Sequence, residues 1–220
     1  MDNTEYKLRI KRAKVAEKQA KIVELCTSKT VLDVGCVGQD INYSNPNWLH
    51  NQIKRVCTGI DGVDIDSEGV NALREKGLSV FLLDELLSLN KKYDIVMMAD
   101  VIEHVNDPVA FLSFYSALLN ENGKMIITTP NAHAVRNFTS IFLWNNYSLN
   151  AEHTMWLCPK TMLEISRRAG LKFSDFWWLN EYFKISDLKG FRNRTAFRIN
   201  SVFQRLRTNF YPNFMFIVSK

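Results

Sequence analysis

The 220-residue chain has no apolar run long enough to span a bilayer, and its N-terminus is polar and charged. Neither membrane insertion nor export is therefore expected. It has four cysteines, Cys26, Cys36, Cys57 and Cys158, and none forms a CxxC pair. A reduced, cytoplasmic setting is the simpler reading of that pattern. No Cys/His cluster has zinc spacing and no carboxylates cluster at metal-ligand spacing, so no metal is implied. Internal repeats and low-complexity tracts are also absent. What remains is an ordinary folded composition, 46% hydrophobic and 23% charged, of a length that suits one domain with a sizeable core. The net charge of +5 is modest and unevenly distributed.

The stretch that organises the chain is TVLDVGCVGQD, residues 30–40. Val31, Leu32, Asp33 and Val34 read as a buried strand that breaks at Gly35, the signature of a central parallel strand. In open α/β sheets, ligands bind beyond the carboxyl ends of strands, where strand order reverses. Gly35 and Gly38 stand just past such an end, where a glycine permits a sharp turn and the close approach of a ligand. Asp33, a carboxylate near the end of an apolar strand, requires partners, either backbone amides or a cationic ligand.

VLDVGC resembles the first motif of class I S-adenosylmethionine-dependent methyltransferases, and the resemblance continues in order. Residues 62–66, GVDID, resemble the acidic end of that family's second strand. YDIV (93–96) through DVIEHV (100–105) resemble its fourth strand and following loop, and NGKMIITTPN (122–131) its fifth strand. The nearest flavour is the ubiquinone-pathway and polysaccharide-cluster O-methyltransferase group. Val37 and Gln39 stand where the family's motif has its second and third glycines. The resemblance implies a Rossmann-like α/β fold: a seven-stranded sheet, mostly parallel with an antiparallel last strand, with helices on both faces. It implies S-adenosylmethionine as cofactor, held by Asp33, Gly35, Cys36 and Gly38, by Asp64 and Ile65, by Asp84, and by Asp100. Asp61 competes with Asp64 for the ribose; Asp64 is preferred because GVDID then matches without a gap. Asp84 reads equally as an adenine neighbour or a helix N-cap.

Residues 1–28 are expected to form an N-terminal helix, spanning 5–26. Residues 29–220 form the methyltransferase domain, with 132–158 and 181–211 as pocket or cap insertions. Asn45-Pro46, Ser67 and Asp107-Pro108 read as helix starts, and 172–179 and 213–219 as the last two strands, with the final one slotted inside as in the family. Residues 188–209 carry six Lys/Arg and no Asp/Glu, interleaved with Phe191, Phe197 and Phe203. They read either as a solvated cover or as peripheral contact with an anionic membrane or lipid-linked substrate.

Methyl transfer to oxygen needs the acceptor held in line with the methyl group and, for a hydroxyl, a base. Of the four histidines, His50, His104, His133 and His153, His153 ranks first and His104 second, and both have a structural alternative as loop anchors. Glu103 reads as a fold-holding carboxylate. The expected function is methyl transfer to a hydroxyl of a small molecule, glycan or lipid-linked precursor. The alternatives are a non-catalytic methyltransferase-like binding module, or a nucleic-acid or protein methyltransferase. A nucleic-acid acceptor is disfavoured because the Asn-Pro-Pro-aromatic motif of amino-directed DNA enzymes is missing.

Overall fold

The computed structural model describes residue 10 and residues 14–38, 43, 45–147, 150–180 and 191–220. In chain order, β1 (Val15–Glu17) and α1 (Lys18–Cys26) precede β2 (Thr30–Val34). Then come α2 (Leu49–Lys54), β3 (Gly59–Asp64), α3 (Ser67–Glu75), β4 (Val80–Leu82), α4 (Leu83–Ser88) and β5 (Tyr93–Ala99). A 3-10 turn (Ile102–His104) leads to α5 (Pro108–Ser116), β6 (Leu119–Pro130) and α6 (Val135–Trp144). The chain closes with α7 (Pro159–Arg168), β7 (Lys172–Asn180), α8 (Phe191–Leu206) and β8 (Asn213–Ser219).

The strands form one sheet in the order β1-β7-β8-β6-β5-β2-β3-β4. Only β8 runs against the rest, slotted between β6 and β7 and antiparallel to both. From β2 the chain moves outward through β3 to β4, then returns to lay β5 on the other side of β2. That reversal opens a crevice beyond the ends of β2 and β5.

The apolar strand runs are explained by burial on both faces. Leu32, Val96, Met98, Ile127, Phe214 and Phe216 pack into one core layer. Their immediate neighbours Val31, Ile95, Met97, Ile126, Met215 and Ile217 pack into the layer on the opposite face, with Ile22 of α1 and Ile53 of α2. Alternate side chains of a strand point to opposite faces, so a strand covered on both sides must be apolar throughout. Each such side chain contributes about 1.5–3 kcal/mol by leaving water.

Three expectations are corrected. Among the described residues the sheet has eight strands, not seven, and the added one is β1, inside the segment expected to be helical throughout. Its Val15 and Ala16 register against Trp178 and Leu179 of β7, and the Trp178 N–H donates to the Lys14 carbonyl at 3.1 Å. The helix after β1 begins at Lys18, where the Glu17 side chain accepts the Gln19 and Ala20 N–H groups as an N-cap. Residues 5–9 and 11–13 of the expected helix lie outside the described residues. Asn45-Pro46 starts a turn rather than a helix, with Asn45 Oδ1 accepting the Asn47 N–H at 2.9 Å; the helix waits until Leu49. Asp66, not Ser67, caps α3 by accepting from the Glu68 and Gly69 N–H groups.

Candidate active site

A cleft of about 650 Å³ opens beyond the ends of β2, β3, β5 and β6. Its floor is the turn at Gly35, whose φ of +75° suits a residue without a Cβ. A Cβ added there would stand 2.6 Å from Val101 Cγ2. The Gly35 N–H donates to the Val63 carbonyl at 2.9 Å. Two residues further on, the Val37 N–H donates to Asp64 Oδ2 at 2.9 Å, so the Asp64 carboxylate fixes the path of this loop. Its Oδ1 accepts the Ile65 and Asp66 N–H groups at 2.7 and 3.1 Å. A carboxylate presents about four lone pairs, so Asp64 keeps acceptor capacity toward the cleft beyond these three bonds.

The residues present fit the cofactor implied by the resemblance. Asp64, Asp66, Asp100 and Glu103 all border the cleft, a carboxylate-rich lining matched to a sulfonium cation. Ile65, 89% exposed at the rim, offers an apolar face to a flat ring. Asp100 holds a left-handed φ of +56°, costly for a non-glycine residue, at the turn where β5 meets the cleft. It is held there by Thr128 Oγ1, which donates to Oδ1 at 3.0 Å, and by an ion pair with Lys18 of α1.

Of the residues expected to serve the cofactor, Gly35, Gly38, Asp64, Ile65 and Asp100 border this cleft. Asp33, Cys36 and Asp84 do not. Asp33 Oδ2 lies 2.8 Å from His50 Nδ1, both groups buried, and the His50 ring stacks on Trp48. Asp33 is thus turned toward α2 and anchors it under the sheet. Cys36 is buried against β3, where a Cβ on Gly62 would come within 2.7 Å of its sulfur, and burial pushes its thiol pKa up. Asp84 is exposed in the first turn of α4 and is not the cap; Leu82 occupies that position, with its N–H donating to Glu85 Oε2 at 2.8 Å. It is Leu83 that reaches the cleft.

The two aspartates of β3 have different surroundings. Asp61 is buried and accepts from Ser79 Oγ at 2.6 Å and from Lys91 Nζ and the Tyr93 hydroxyl at 2.8 Å each. Burial works to raise its pKa, but these donors prevail and hold it below the ordinary carboxylate value. Asp61 is buried in this cluster and does not border the cleft.

A smaller cavity of about 140 Å³ adjoins the cleft and shares Glu103, Pro130, Asn150 and His153 with it. Arg136 and Asn137 of α6 and Trp156 also line it. Glu103 is buried in the 3-10 turn, with Oε2 accepting from Thr129 Oγ1 at 3.0 Å. Its backbone carbonyl accepts both the N–H and the hydroxyl of Thr154, at 2.9 and 3.0 Å, which ties the loop carrying His153 to this turn. The His104 and His153 rings meet edge to face at 4.7 Å, and His153 Nε2 lies 4.0 Å from Glu103 Oε1. Burial, reinforced by Asp100, raises the Glu103 pKa to about 7. Burial, reinforced by His104, lowers that of His153. One donor atom from each of Glu103, His104 and His153 falls within 4.8 Å of the others. Linear spacing does not announce this trio; only the adjacency of Glu103 and His104 after β5 is visible in sequence. The other two histidines lie elsewhere, His50 in the buried pair with Asp33 and His133 exposed in the turn after β6.

Comparison with known proteins agrees with this architecture. Residues 6–174 match a family model described as a methyltransferase domain. Among curated relatives, a protein named ubiquinone biosynthesis O-methyltransferase from Cereibacter sphaeroides is 24% identical over 155 residues, covering 64% of this chain and 59% of the relative. One of the same name from Rhodopseudomonas palustris is 29% identical over 154 residues, covering 66% and 54%. The chain therefore spans less than two thirds of the length of these relatives. A SAM-dependent methyltransferase structure from Archaeoglobus fulgidus superposes with a TM-score of 0.59 at 18% identity, over 92% of this chain and 93% of its own. The plantazolicin methyltransferase BamL, solved with a triazolic desmethylPZN analog and SAH, gives a TM-score of 0.55 at 14% identity over 92% of this chain and 84% of its own. At these identities the structural likeness establishes the fold.

Proposed function

We propose that this chain, which belongs to the class I S-adenosylmethionine-dependent methyltransferases, methylates a hydroxyl oxygen of a small molecule, glycan or lipid-linked precursor. The observation that carries the reading is the position of Glu103 and His153, which border both the cleft and the smaller cavity beside it. A donor in the cleft and an acceptor in the smaller cavity meet at these two residues. The shared name of the curated relatives supports oxygen as the acceptor atom.

When bound, the cofactor supplies an electrophilic methyl group on a sulfonium. The work of the chain is to position, desolvate and move a proton. Gly35 and Gly38 leave room for close approach, Asp64 offers acceptor capacity to a ribose hydroxyl, and Ile65 covers the base. Asp100 and Glu103 offset the positive charge on sulfur until it is lost. Attack by an alkoxide on a sulfonium cancels two charges, so a water-poor site favours the transition state over the separated ions. Holding the acceptor in line contributes up to about 7–11 kcal/mol in favourable cases. The acceptor proton leaves at the trio beyond Asp100, with His153 the group placed to receive it and His104 the second candidate.

The acceptor reading has a finer form. α6 lines the smaller cavity through Arg136 and Asn137 and presents Phe138, Phe142 and Leu143 outward. It is joined to α8 by Thr139 Oγ1, which donates to Asn200 Oδ1 at 3.2 Å. α8 exposes Val202, Phe203 and Leu206 beside Arg194, Arg198 and Arg205. Such a mixture of apolar and cationic side chains next to an acceptor cavity favours an anionic, lipid-linked acceptor or one resident at a membrane surface. Lys189 and the rest of 181–190 lie outside the described residues. No helix among the described residues is long and apolar enough to cross a membrane.

The test is to incubate the protein with methyl-labelled S-adenosylmethionine and panels of hydroxylated quinone precursors, glycans and lipid-linked sugars, and to read the products by mass spectrometry. A product carrying one added methyl on oxygen is the expected result. Label on nitrogen, or no binding of either S-adenosylmethionine or its demethylated product by calorimetry, overturns the reading.

A further inference from the structure

We propose that Lys18 sets how strongly the cleft prefers its cationic cofactor to the demethylated product, whose sulfur is neutral. Lys18 Nζ donates to Asp100 Oδ2 in an ion pair, and Asp100 borders the cleft. Among the described residues, Asp100 is the only carboxylate of the cleft paired with a lysine or arginine. The two side chains are 16% and 38% exposed, so solvent and salt screen the pair incompletely. Cofactor and product share their adenosine and amino-acid groups and differ by one methyl group and one positive charge. Preference between them is therefore governed largely by the electrostatic field in the cleft. Asp100 favours the sulfonium, and the Lys18 ammonium offsets part of that attraction.

Both partners occupy positions that local structure disfavours. Lys18 is the first residue of α1, where the helix dipole disfavours a positive charge, and the first turn contains no acidic residue. It is carried there by β1, whose last residue, Glu17, registers against Asn180 of β7. Asp100 stands at φ +56°, with its N–H donating to the Thr128 carbonyl and its Oδ1 accepting from Thr128 Oγ1, each at 3.0 Å. Backbone strain of this kind collects at functional sites. One Asp100 oxygen is thus fixed by β6 and the other by α1, and the carboxylate retains acceptor capacity beyond these two bonds. The charge on Lys18 also reaches Glu103: burial raises the pKa of that carboxyl, and Lys18 works against the rise.

The inference rests on the placement of the cofactor in this cleft, and not on the identity of the acceptor. Methyl transfer removes the charge on sulfur. A cleft that held the sulfonium too tightly would therefore stabilise the ground state more than the transition state. Lys18 moderates that hold and narrows the gap in affinity between cofactor and product. The strand β1, by delivering Lys18 to the edge of the cleft, contributes to its electrostatics as well as to the sheet.

The experiment is calorimetry on the full chain with S-adenosylmethionine, S-adenosylhomocysteine and 5′-methylthioadenosine, which has a neutral sulfur and no amino-acid group. Lys18→Met should tighten S-adenosylmethionine by about 10-fold relative to S-adenosylhomocysteine, and leave 5′-methylthioadenosine unchanged. Lys18→Arg keeps the cation and should keep the wild-type ratio. Asp100→Asn should lower the ratio, and adding Lys18→Met to it should change the ratio by less than Lys18→Met does in the wild type. These two variants decide the matter should Lys18→Met fold poorly. An unchanged ratio in Lys18→Met overturns the inference and leaves the cofactor reading intact. Equal weakening of cofactor and product also overturns it, since that marks a fold anchor or a lysine that binds their shared carboxylate. Failure of all three ligands to bind the wild-type chain overturns the cofactor reading itself, and the inference with it.

Discussion

The half of the cleft proposed to hold the cofactor is made largely of backbone, and the half proposed for the acceptor is made of side chains. Around Gly35 the shape is set by a left-handed turn, by N–H groups of residues 35 and 37 bonded to β3, and by a strand-end carboxylate. Around His153 it is set by a buried carboxylate and two half-buried imidazoles brought from the turn after β5 and the long connection after β6. Backbone geometry tolerates many side chains and few conformations. A side-chain cluster tolerates small movements and few substitutions. The two halves should therefore fail differently when changed.

The largest effect is expected at Gly35. Gly35→Val places a β-branched residue at φ +75° with its Cβ 2.6 Å from Val101. Left-handed backbone costs a non-glycine residue about 1–2 kcal/mol and overpacking adds about 1–3 kcal/mol. S-adenosylmethionine binding should be lost in calorimetry, with a lowered melting temperature. Binding at near wild-type affinity would show that the cofactor half is not built on this turn.

His153→Ala tests the other half. Loss of a group acting only on the acceptor should lower turnover by about 10²–10⁴-fold while S-adenosylmethionine affinity stays intact. If affinity collapses and single-turnover chemistry at saturating cofactor stays normal, the division between the halves is wrong.

The paired aspartates of β3 sharpen the comparison within one strand. Asp64→Ala removes the acceptor of the Val37 N–H and should weaken cofactor binding by about 10-fold, in line with about 1.5 kcal/mol for a charged hydrogen bond. Asp61→Asn should leave that affinity alone and cost stability, about 2 kcal/mol, because it weakens a cluster with Ser79, Lys91 and Tyr93. The pH dependence has a defined sign. Net stabilisation of the Asp61 carboxylate, with its pKa lowered on folding, contributes stability above the ordinary carboxylate range, and that contribution is lost as pH falls through the lowered value. Thermal melts from pH 7 downward should show a shallower acid decline in Asp61→Asn than in wild type.

These particulars also explain what was legible in the sequence. Apolar runs covered on both faces, glycines at strand ends and the Asp107-Pro108 helix start are local signals, and β2, β5, β7, β8 and α5 stand where such signals put them. β1 was not legible, because its pairing partner β7 lies far along the chain and its short VAE run sits among helix-favouring residues. Asp33 and Asp64 look alike as strand-end carboxylates, and only the arrival of His50 from α2 separates an anchor from a cleft residue. The Glu103–His104–His153 trio is a product of tertiary closure and has no linear signature.

The smallest expected effect lies at the outer edge of the acceptor half. α8 exposes Arg194, Arg198 and Arg205 along one side, with Arg207 just beyond its end and Val202, Phe203 and Leu206 between them. Asn131, in the wall of the smaller cavity, donates to the carbonyls of Asn209 and Tyr211 at 2.8 and 2.9 Å, so the end of this segment is tied to that cavity. Near an anionic surface each such charge is worth about 1 kcal/mol, and salt screens it within about 10 Å at 0.1 M. The triple change Arg198→Gln, Arg205→Gln and Arg207→Gln should thus reduce sedimentation with anionic vesicles at low salt, or raise the KM of an anionic acceptor, while S-adenosylmethionine affinity is unchanged. Neutral vesicles should bind both proteins equally weakly, since the apolar side chains alone give no preference for charge. Replacing Phe142 and Phe203 by Ser separates the apolar contribution, which should persist at high salt where the arginine contribution fades. If the triple variant matches wild type in both assays at low salt, the arginines are a solvated face, and the acceptor half ends at the trio and α6.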